Sequence, residues 1–292
     1  MTPLRSKVHC EIAALLAVFF LGGCASLAPP VQRVDQITPE GAGDTEIEQN
    51  VRELLADAKD ESAAVYLQNG VDAFAARLAA VERSTRSVDA QYYLFHNDIT
   101  GNLFAERLLT AAQRGIRVRL LLDDMGTQGQ DDYLLALDAH PNIDIRIFNP
   151  FANRKYRALE YLYRFGIVTR RMHNKSLIID GAAAITGGRN IGDEYFDAHH
   201  QSNFLDMDVL IIGPAVTDVS AQFDQYWNSP LSYDIDILSG TEESPEDIQR
   251  QWQELHEFAE SQKDNLYIET LRATPFLEYL NEKRLPISIG PT

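Results

Sequence analysis

From about Gly70 onward the apolar positions follow two alternating rhythms. Phe74, Leu78 and Val81 recur at helical spacing and predict an amphipathic helix. Ser87 to Phe95 alternates instead, with Val88, Ala90, Tyr92 and Leu94 on one face, which is the period of a strand. Asn102 to Arg114 returns to helical spacing through Leu103, Phe104, Leu108, Ala111 and Ala112, and Gly115 ends it. Ile116 to Leu122 is an apolar strand running into Asp123-Asp124. Asp131 to His140 reads as the next helix and Ile143 to Phe148 as the next strand. Strand, helix, strand, helix, strand with short links predicts a layered α/β domain with parallel pairing. Further strands are expected at Lys175 to Ile179, Ala183 to Thr186 and Met207 to Ile212, and a helix at Ala215 to Trp227. Ser244-Pro245-Glu246-Asp247 is a helix start, with a capping serine, proline at the first position and early acids, and the helix would run on through Ala259.

The N-terminal fifth is patterned differently. From about Ala25 to Asp60 there are two adjacent prolines, Pro29 and Pro30, many acids and little apolar periodicity. This segment reads as a tether followed by a short helix from Glu46 to Ala58. Ahead of it, Arg5 and Lys7 precede an apolar run, Ile12 to Leu21, that is too short to span a bilayer. Leu21-Gly22-Gly23-Cys24 then resembles a bacterial lipobox. That resemblance implies cleavage before Cys24, acylation of its thiol and, because Ala25 rather than an aspartate follows, a place in the cell envelope on the periplasmic face of the outer membrane. Cys10 would leave with the leader and Cys24 would carry lipid, so no disulfide is expected. The expected organisation is a lipoprotein signal at 1–23, a tether at 24–60, a catalytic unit at 61–230 and a helical connector at 231–292.

Charge narrows the function. The 292 residues carry a formal net charge of −17, which disfavours a nucleic-acid partner, since such binding needs a basic surface. A local basic pocket remains compatible with phosphate chemistry. Arg154, Lys155, Tyr156, Arg157, Tyr161, Tyr163, Arg164, Arg170 and Arg171 form one basic, aromatic island. It reads either as a lip for anionic phospholipid headgroups or as a solvated loop with ordinary ring stacking. Asp123 and Asp124, at a strand's C-terminal end, would line a pocket or cap a turn. His199-His200 beside Asp197 is a loop pair that is more often solvated than metal-bound.

The segment with the most chemistry is Arg171-Met172-His173-Asn174-Lys175-Ser176-Leu177-Ile178-Ile179-Asp180. Alternate side chains of a strand share a face, so His173 and Lys175 point the same way, about 7 Å apart along the strand. An imidazole there can reach a phosphorus while an ammonium holds a phosphoryl oxygen. Asp180 has the opposite parity and precedes Gly181, which suits a turn-fixing residue better than a reactant.

This segment matches the H-x-K-x4-D signature of the phospholipase D superfamily and continues into Gly187-Gly188-Arg189-Asn190, where that family has Gly-Ser-x-Asn. The run through Ile191-Gly192-Asp193-Glu194-Tyr195 resembles the bacterial cardiolipin synthase C-type branch, and the likeness covers roughly residues 60 to 230. It implies a phospholipase D-type α/β/α sandwich with a mixed, largely parallel sheet, here one half of the usual pair, plus a helical C-terminal extension. It also implies phosphodiester cleavage or phosphatidyl transfer on phospholipids, with no cofactor and no metal. His173 would be nucleophile or general acid, Lys175 and Asn190 would hold phosphoryl oxygens, and Asp180 completes the family's catalytic signature. A later acid should orient the imidazole. Asp206 matches the family's place for it, and Asp208, on the same strand face, is the alternative.

The sequence departs from the family in two ways. Gly188 replaces the serine, so one hydroxyl contact to phosphate is missing. The family also builds one site from two such motifs, and this chain has one. The second would come from an identical chain or from a C-terminal half. A nuclease of the same fold and a lipid-binding lipoprotein with an incomplete site are the competing readings.

Overall fold

The computed structural model describes residues 27, 33–39, 44–154, 156–199, 201–240 and 243–290. The leader, Cys10, Cys24 and most of the 24–32 stretch lie outside them. The first described helix, α1 (Glu46–Leu54), opens with a capping box in which Thr45 and Glu48 satisfy each other's backbone N–H. The elements that follow are β1 (Ser62–Leu67), α2 (Gly70–Glu82), β2 (Ser87–Leu94), α3 (Ile99–Gln113), β3 (Arg117–Gly126), α4 (Asp131–Asp138) and β4 (Ile143–Phe148). Next come α5 (Arg157–Tyr163), α6 (Phe165–Val168), β5 (Ser176–Ile179), β6 (Ala183–Gly187), β7 (Asp208–Ile212), α7 (Ala215–Trp227) and β8 (Ser232–Asp234). The chain ends through α8 (Ile235–Ser239), α9 (Pro245–Ser261), α10 (Leu266–Arg272), α11 (Pro275–Asn281) and β9 (Ser288–Gly290).

All nine strands form one sheet in the order β8-β4-β3-β2-β5-β6-β7-β1-β9. Its central strands are buried on both faces, which explains their dense apolar content. On one face Val88, Ala90, Tyr92, Leu120, Leu122 and Leu177 meet Phe74 of α2 and Phe104 and Leu108 of α3. On the other, Leu121, Ile178 and Ala184 meet Phe223 and Trp227 of α7. Each such fully buried side chain contributes roughly 1.5–3 kcal/mol. The result is the expected α/β/α sandwich with a mixed sheet. Parallel pairing, however, is confined to β2-β3-β4, and the other six pairings are antiparallel. The sheet is therefore not largely parallel. The crossover helices α3 and α4 enforce parallel neighbours only where they occur, while a short turn joins β5 to β6 and longer connections bring β7 and β8 in antiparallel.

Two boundaries differ from expectation. Part of the 24–60 tether is built into the fold. Residues 33–39 lie against α7 and the start of β2 and β3, where Thr38 Oγ1 donates to Asp89 (3.0 Å) and Trp227 Nε1 donates to Gln36 Oε1 (2.8 Å). Below this strap, Arg119 pairs with Asp89 at 2.6 Å and with Asp224 at 2.9 Å. Arg119 and Asp89 are fully enclosed, and the strap supplies hydrogen bonds that a buried ion pair requires.

The 231–292 segment, likewise, is no separate connector. β8 extends the sheet beyond β4 and β9 extends it beyond β1. α9 begins as read, with Ser244 accepting from Asp247 N and Pro245 in the first turn, and it packs on α3 and α4. Trp252 Nε1 donates to Ala136 O at 2.6 Å, anchoring that contact.

One acid in this layer makes stability pH-dependent. Asp138, at the end of α4, accepts from Ile145 N at 2.6 Å. Burial pushes its carboxyl up to about 7, helped by the negative charges of Asp236, Asp144 and Asp234. The folded state thus holds a proton that the unfolded chain releases near pH 4, and stability falls as pH rises from about 4 through 7. Asp138→Asn keeps the acceptor oxygen and is expected to flatten that slope. It should gain on the order of 2 kcal/mol at pH 8, read from denaturant unfolding at several pH values.

Candidate active site

The rim of the site forms where β2 ends and β5 begins. β2 and β5 are antiparallel with Gln91 opposite Ser176, so the residues just before Ser176 lie beside Tyr93 and Leu94. Asp123, at the C-terminal end of β3, fixes the approach to this rim. It is fully buried, accepts from Met172 N at 2.8 Å and pairs with Arg171 at 3.0 Å, and burial pushes its carboxyl up to about 6. Asp123 therefore does not line a pocket; it positions the backbone next to His173.

β5 begins at Ser176, so His173 and Lys175 lie in the segment just ahead of it, with their side chains in contact. His173 is exposed, whereas Lys175 retains only 5% of its surface. Lys175 Nζ lies 3.2 Å from His173 Nδ1 and donates to His173 O at 2.7 Å. Tyr93 floors the pair, its ring 5.0 Å from the imidazole and 5.6 Å from the ammonium. Burial and the neighbouring Lys175 charge lower the His173 pKa, and Asp206 opposes this. Burial also lowers the Lys175 pKa, against the pull of Asp206 and Asp208. A neutral imidazole beside a held cation is the state that nucleophilic attack on a phosphodiester requires.

Asp180 is not part of this group. It sits at the far end of β5 with φ of 55°, and its carboxylate accepts from the N–H groups of Thr85, Arg86 and Ser87 and from Thr85 Oγ1. It fixes the turn after β5 against the start of β2, and its place in the catalytic signature reflects the fold rather than a reacting group. Asp180→Ala strands those donors and puts alanine in a left-handed conformation. It should cost about 2–3 kcal/mol in chemical unfolding, with little change in turnover per folded molecule.

Asn190 is buried and oriented. Its Oδ1 accepts from Leu94 N at 3.0 Å and its Nδ2 donates to Tyr195 Oη at 2.9 Å, which leaves one N–H for a ligand. Phe204 in turn packs on Tyr195 at 5.1 Å.

The two candidate acids separate clearly. Gly187 pairs with Asp208 across β6 and β7, and two residues nearer the rim the same face carries Asp206. Asp208 is fully buried, 2.9 Å from Arg77 and 3.5 Å from Arg189. It neutralises core guanidinium groups and is not the orienting acid. Asp206 is half-buried near the rim, and its charge acts on both His173 and Lys175, yet no hydrogen bond joins it to His173. A Cβ at Gly188 would lie 1.8 Å from Asp206 Oδ1. The Asp206 carboxylate thus occupies the space of the serine that the family signature places there. Gly188→Ser should displace that carboxylate and alter the pH dependence of turnover.

The basic island proves to be mostly internally paired. Asp124 is buried and binds Arg154 and Arg157, while Arg154 also binds Asp131 (2.8 Å) and Arg164 pairs with Glu160. Arg157 and Arg171 also stack over Phe151. Asp123 and Asp124 hold this island down, so it presents few free cations; Arg170 faces solvent and Lys155 lies outside the described residues. What the island exposes is apolar: Tyr156, Tyr161, Phe165 and Ile167, with Met125 beside Tyr161. Phe204, Leu205 and Met207 are likewise exposed, next to Tyr195 and Asp206. His199 is solvated, its Nδ1 accepting from Gln201 N and Ser202 N, and His200 lies outside the described residues. Sequence reasoning missed Tyr93 as a site-building residue and left Tyr195 open between pocket wall and packing. The alternation of β2 places Tyr93 at its open end, and that was the available signal.

A family model described as "Cardiolipin synthase, PLD-like domain" matches residues 78–227, about half of the chain. The chain is 42% identical over 225 residues to cardiolipin synthase C of Escherichia coli (strain K12), a match covering 76% of this chain and 46% of that protein. It is 34% identical over 285 residues to a Helicobacter pylori (strain J99 / ATCC 700824) protein, covering 94% of this chain and 55% of that one. Among solved structures, NucT from Helicobacter pylori overlays with a TM-score of 0.44 at 17% identity, covering 59% of this chain and 98% of that chain. The family model, with the match to cardiolipin synthase C, places the chain in the phospholipase D superfamily. It spans about half the length of the curated relatives it matches.

Proposed function

We propose that this chain is one catalytic half of a phosphatidyltransferase or phospholipase D-type phosphodiesterase, of cardiolipin synthase type, acting on phospholipids. The observation that carries the reading is the His173–Lys175 contact at the rim where β2 ends and β5 begins, with Tyr93 beneath it. His173 Nε2 attacks phosphorus, the bond to the leaving alcohol breaks, and a phosphohistidine forms. A second histidine protonates the leaving oxygen. An acceptor hydroxyl, or water, then attacks the phosphohistidine, giving its proton to that second histidine, and the P–N bond breaks to free His173.

Attack through Nε2 requires the proton to sit on Nδ1, the atom that now faces Lys175 Nζ. Substrate binding would therefore draw Lys175 onto the phosphoryl oxygens, beside the free N–H of Asn190. Asp206 is then the acid within electrostatic reach of the Nδ1 proton. The second histidine-lysine element comes from a second copy of this chain or from a further C-terminal segment.

The exposed apolar residues around the rim support a lipid substrate, and the net charge of −17 does not favour DNA. Among the described residues no helix is long and apolar enough to cross a membrane. The proposed attachment is a lipid on Cys24, holding the domain at the periplasmic face of the outer membrane. The test is phosphatidylglycerol turnover in vesicles, with and without an alcohol acceptor. Supercoiled DNA degraded in place of lipid would assign the site to a nuclease.

A further inference from the structure

Close to this rim, three side chains from two loops converge. His96 follows β2, Asp98 caps α3, and Glu194 lies in the short 3-10 turn after Asn190. Each offers one ligand atom, and all three atoms lie within 4.8 Å of one another. His96 Nδ1 is 3.3 Å from Glu194 Oε1 and 3.9 Å from Asp98 Oδ2. Metal–ligand bonds of roughly 2.0–2.2 Å put two ligand atoms about 3.4 Å apart, so the spacing is close to that of a filled site.

A separate observation concerns charge. Asp98, Asp193 and Glu194 crowd one spot, and among the described residues none of them pairs with a lysine or arginine, while His96 faces Asp98 and Glu194. Glycine at 192 keeps the space open, since a Cβ there would lie 2.8 Å from His96 Nδ1 and 3.0 Å from Glu194 Oε2. The carboxylate of Asp98 is already aimed by Gly101 N and Asp193 N. Outer hydrogen bonds of that kind orient metal ligands.

We propose that His96, Asp98 and Glu194 bind one divalent transition-metal ion, with an imidazole nitrogen and two carboxylate oxygens as protein ligands and water completing the set. This ligand set suits Zn2+ or Mn2+. The ion has a structural role: it ties the loop after β2 to the 192–195 turn. Tyr195 in that turn holds Asn190, so the bound ion stiffens the rim. The site does not depend on the reaction proposed above.

The test is calorimetric titration of the full chain with Zn2+, after chelator treatment and alkylation of both thiols, and with Mn2+ followed by paramagnetic resonance. One equivalent should bind, and His96→Ala and Glu194→Gln should each weaken it by about 100-fold or more. His199→Ala, which changes a solvated histidine on the neighbouring loop, should bind as the parent does. Circular dichroism establishes that each variant is folded, and should His96→Ala fail there, the near-isosteric Glu194→Gln decides. Absence of saturable binding, unchanged affinity in Glu194→Gln, or loss of binding in His199→Ala would overturn the proposal.

Discussion

His173→Ala is expected to lower phospholipid turnover by between about 10^4-fold and 10^6-fold, the range seen when a nucleophile is removed from a preorganised site. The same variant should melt within about 1 kcal/mol of the parent, because the His173 ring is exposed and rests only on Tyr93 and Lys175. The pH profile gives a second reading of the same residue. Attack requires a neutral imidazole, and burial together with Lys175 holds the His173 pKa below its usual 6.5. Protonation therefore begins only below that value, so turnover should stay level through pH 7 and fall in an acidic limb beneath about 6.5. The assay needs the complete assembly, whichever chain supplies the second histidine. A His173→Ala variant that keeps parental turnover on phosphatidylglycerol vesicles would remove His173 from the mechanism.

Elements that depend on their own periodicity were the legible ones. α7 was legible because Val216, Ser220, Phe223 and Trp227 bury one stripe at helical spacing. His173 and Lys175 lie just ahead of β5 rather than in it, and their two-residue spacing still leaves the side chains in contact. Elements that exist through distant partners were not legible. β8 and β9 are three residues each and form only because β4 and β1 offer open edges. β1 was missed for the same reason, since its six residues gain their partners from β7 and β9, more than 130 positions away in the chain. The strap at 33–39 looks like a spacer because its value lies in side-chain bonds to Asp89, Asp224 and Trp227. The basic island read as a charged lip because sequence shows charges but not their partners, and its arginines face Asp123, Asp124 and Asp131. Asp206 was preferred to Asp208 only through the family resemblance, for a related reason: parity gives a face, while depth along the strand decides whether that face meets solvent or guanidinium groups.

That depth makes the two aspartates separable by experiment. Asp208 and Arg77 form a pair with side-chain exposures of 0% and 1%. Asp208→Asn removes the counter-charge from Arg77 and weakens the hold on Arg189, and breaking one partner of a buried pair costs about 3–5 kcal/mol. For a chain of this size that is a fall in melting temperature on the order of 10 °C, read by thermal circular dichroism. Asp206→Asn should leave the melting temperature nearly unchanged, because its half-buried carboxylate holds no core group. Its effect belongs to the chemistry: Asp206 supports a proton on His173, so removing its charge lowers that pKa further and moves the acidic limb of the profile to lower pH. Losing the negative charge that acts on the protonated Nδ1 should also reduce the plateau rate by on the order of 10^2-fold. The reverse pattern, a stable Asp208→Asn with a displaced acidic limb and an unfolded Asp206→Asn, would exchange the two roles and place the orienting acid inside the core.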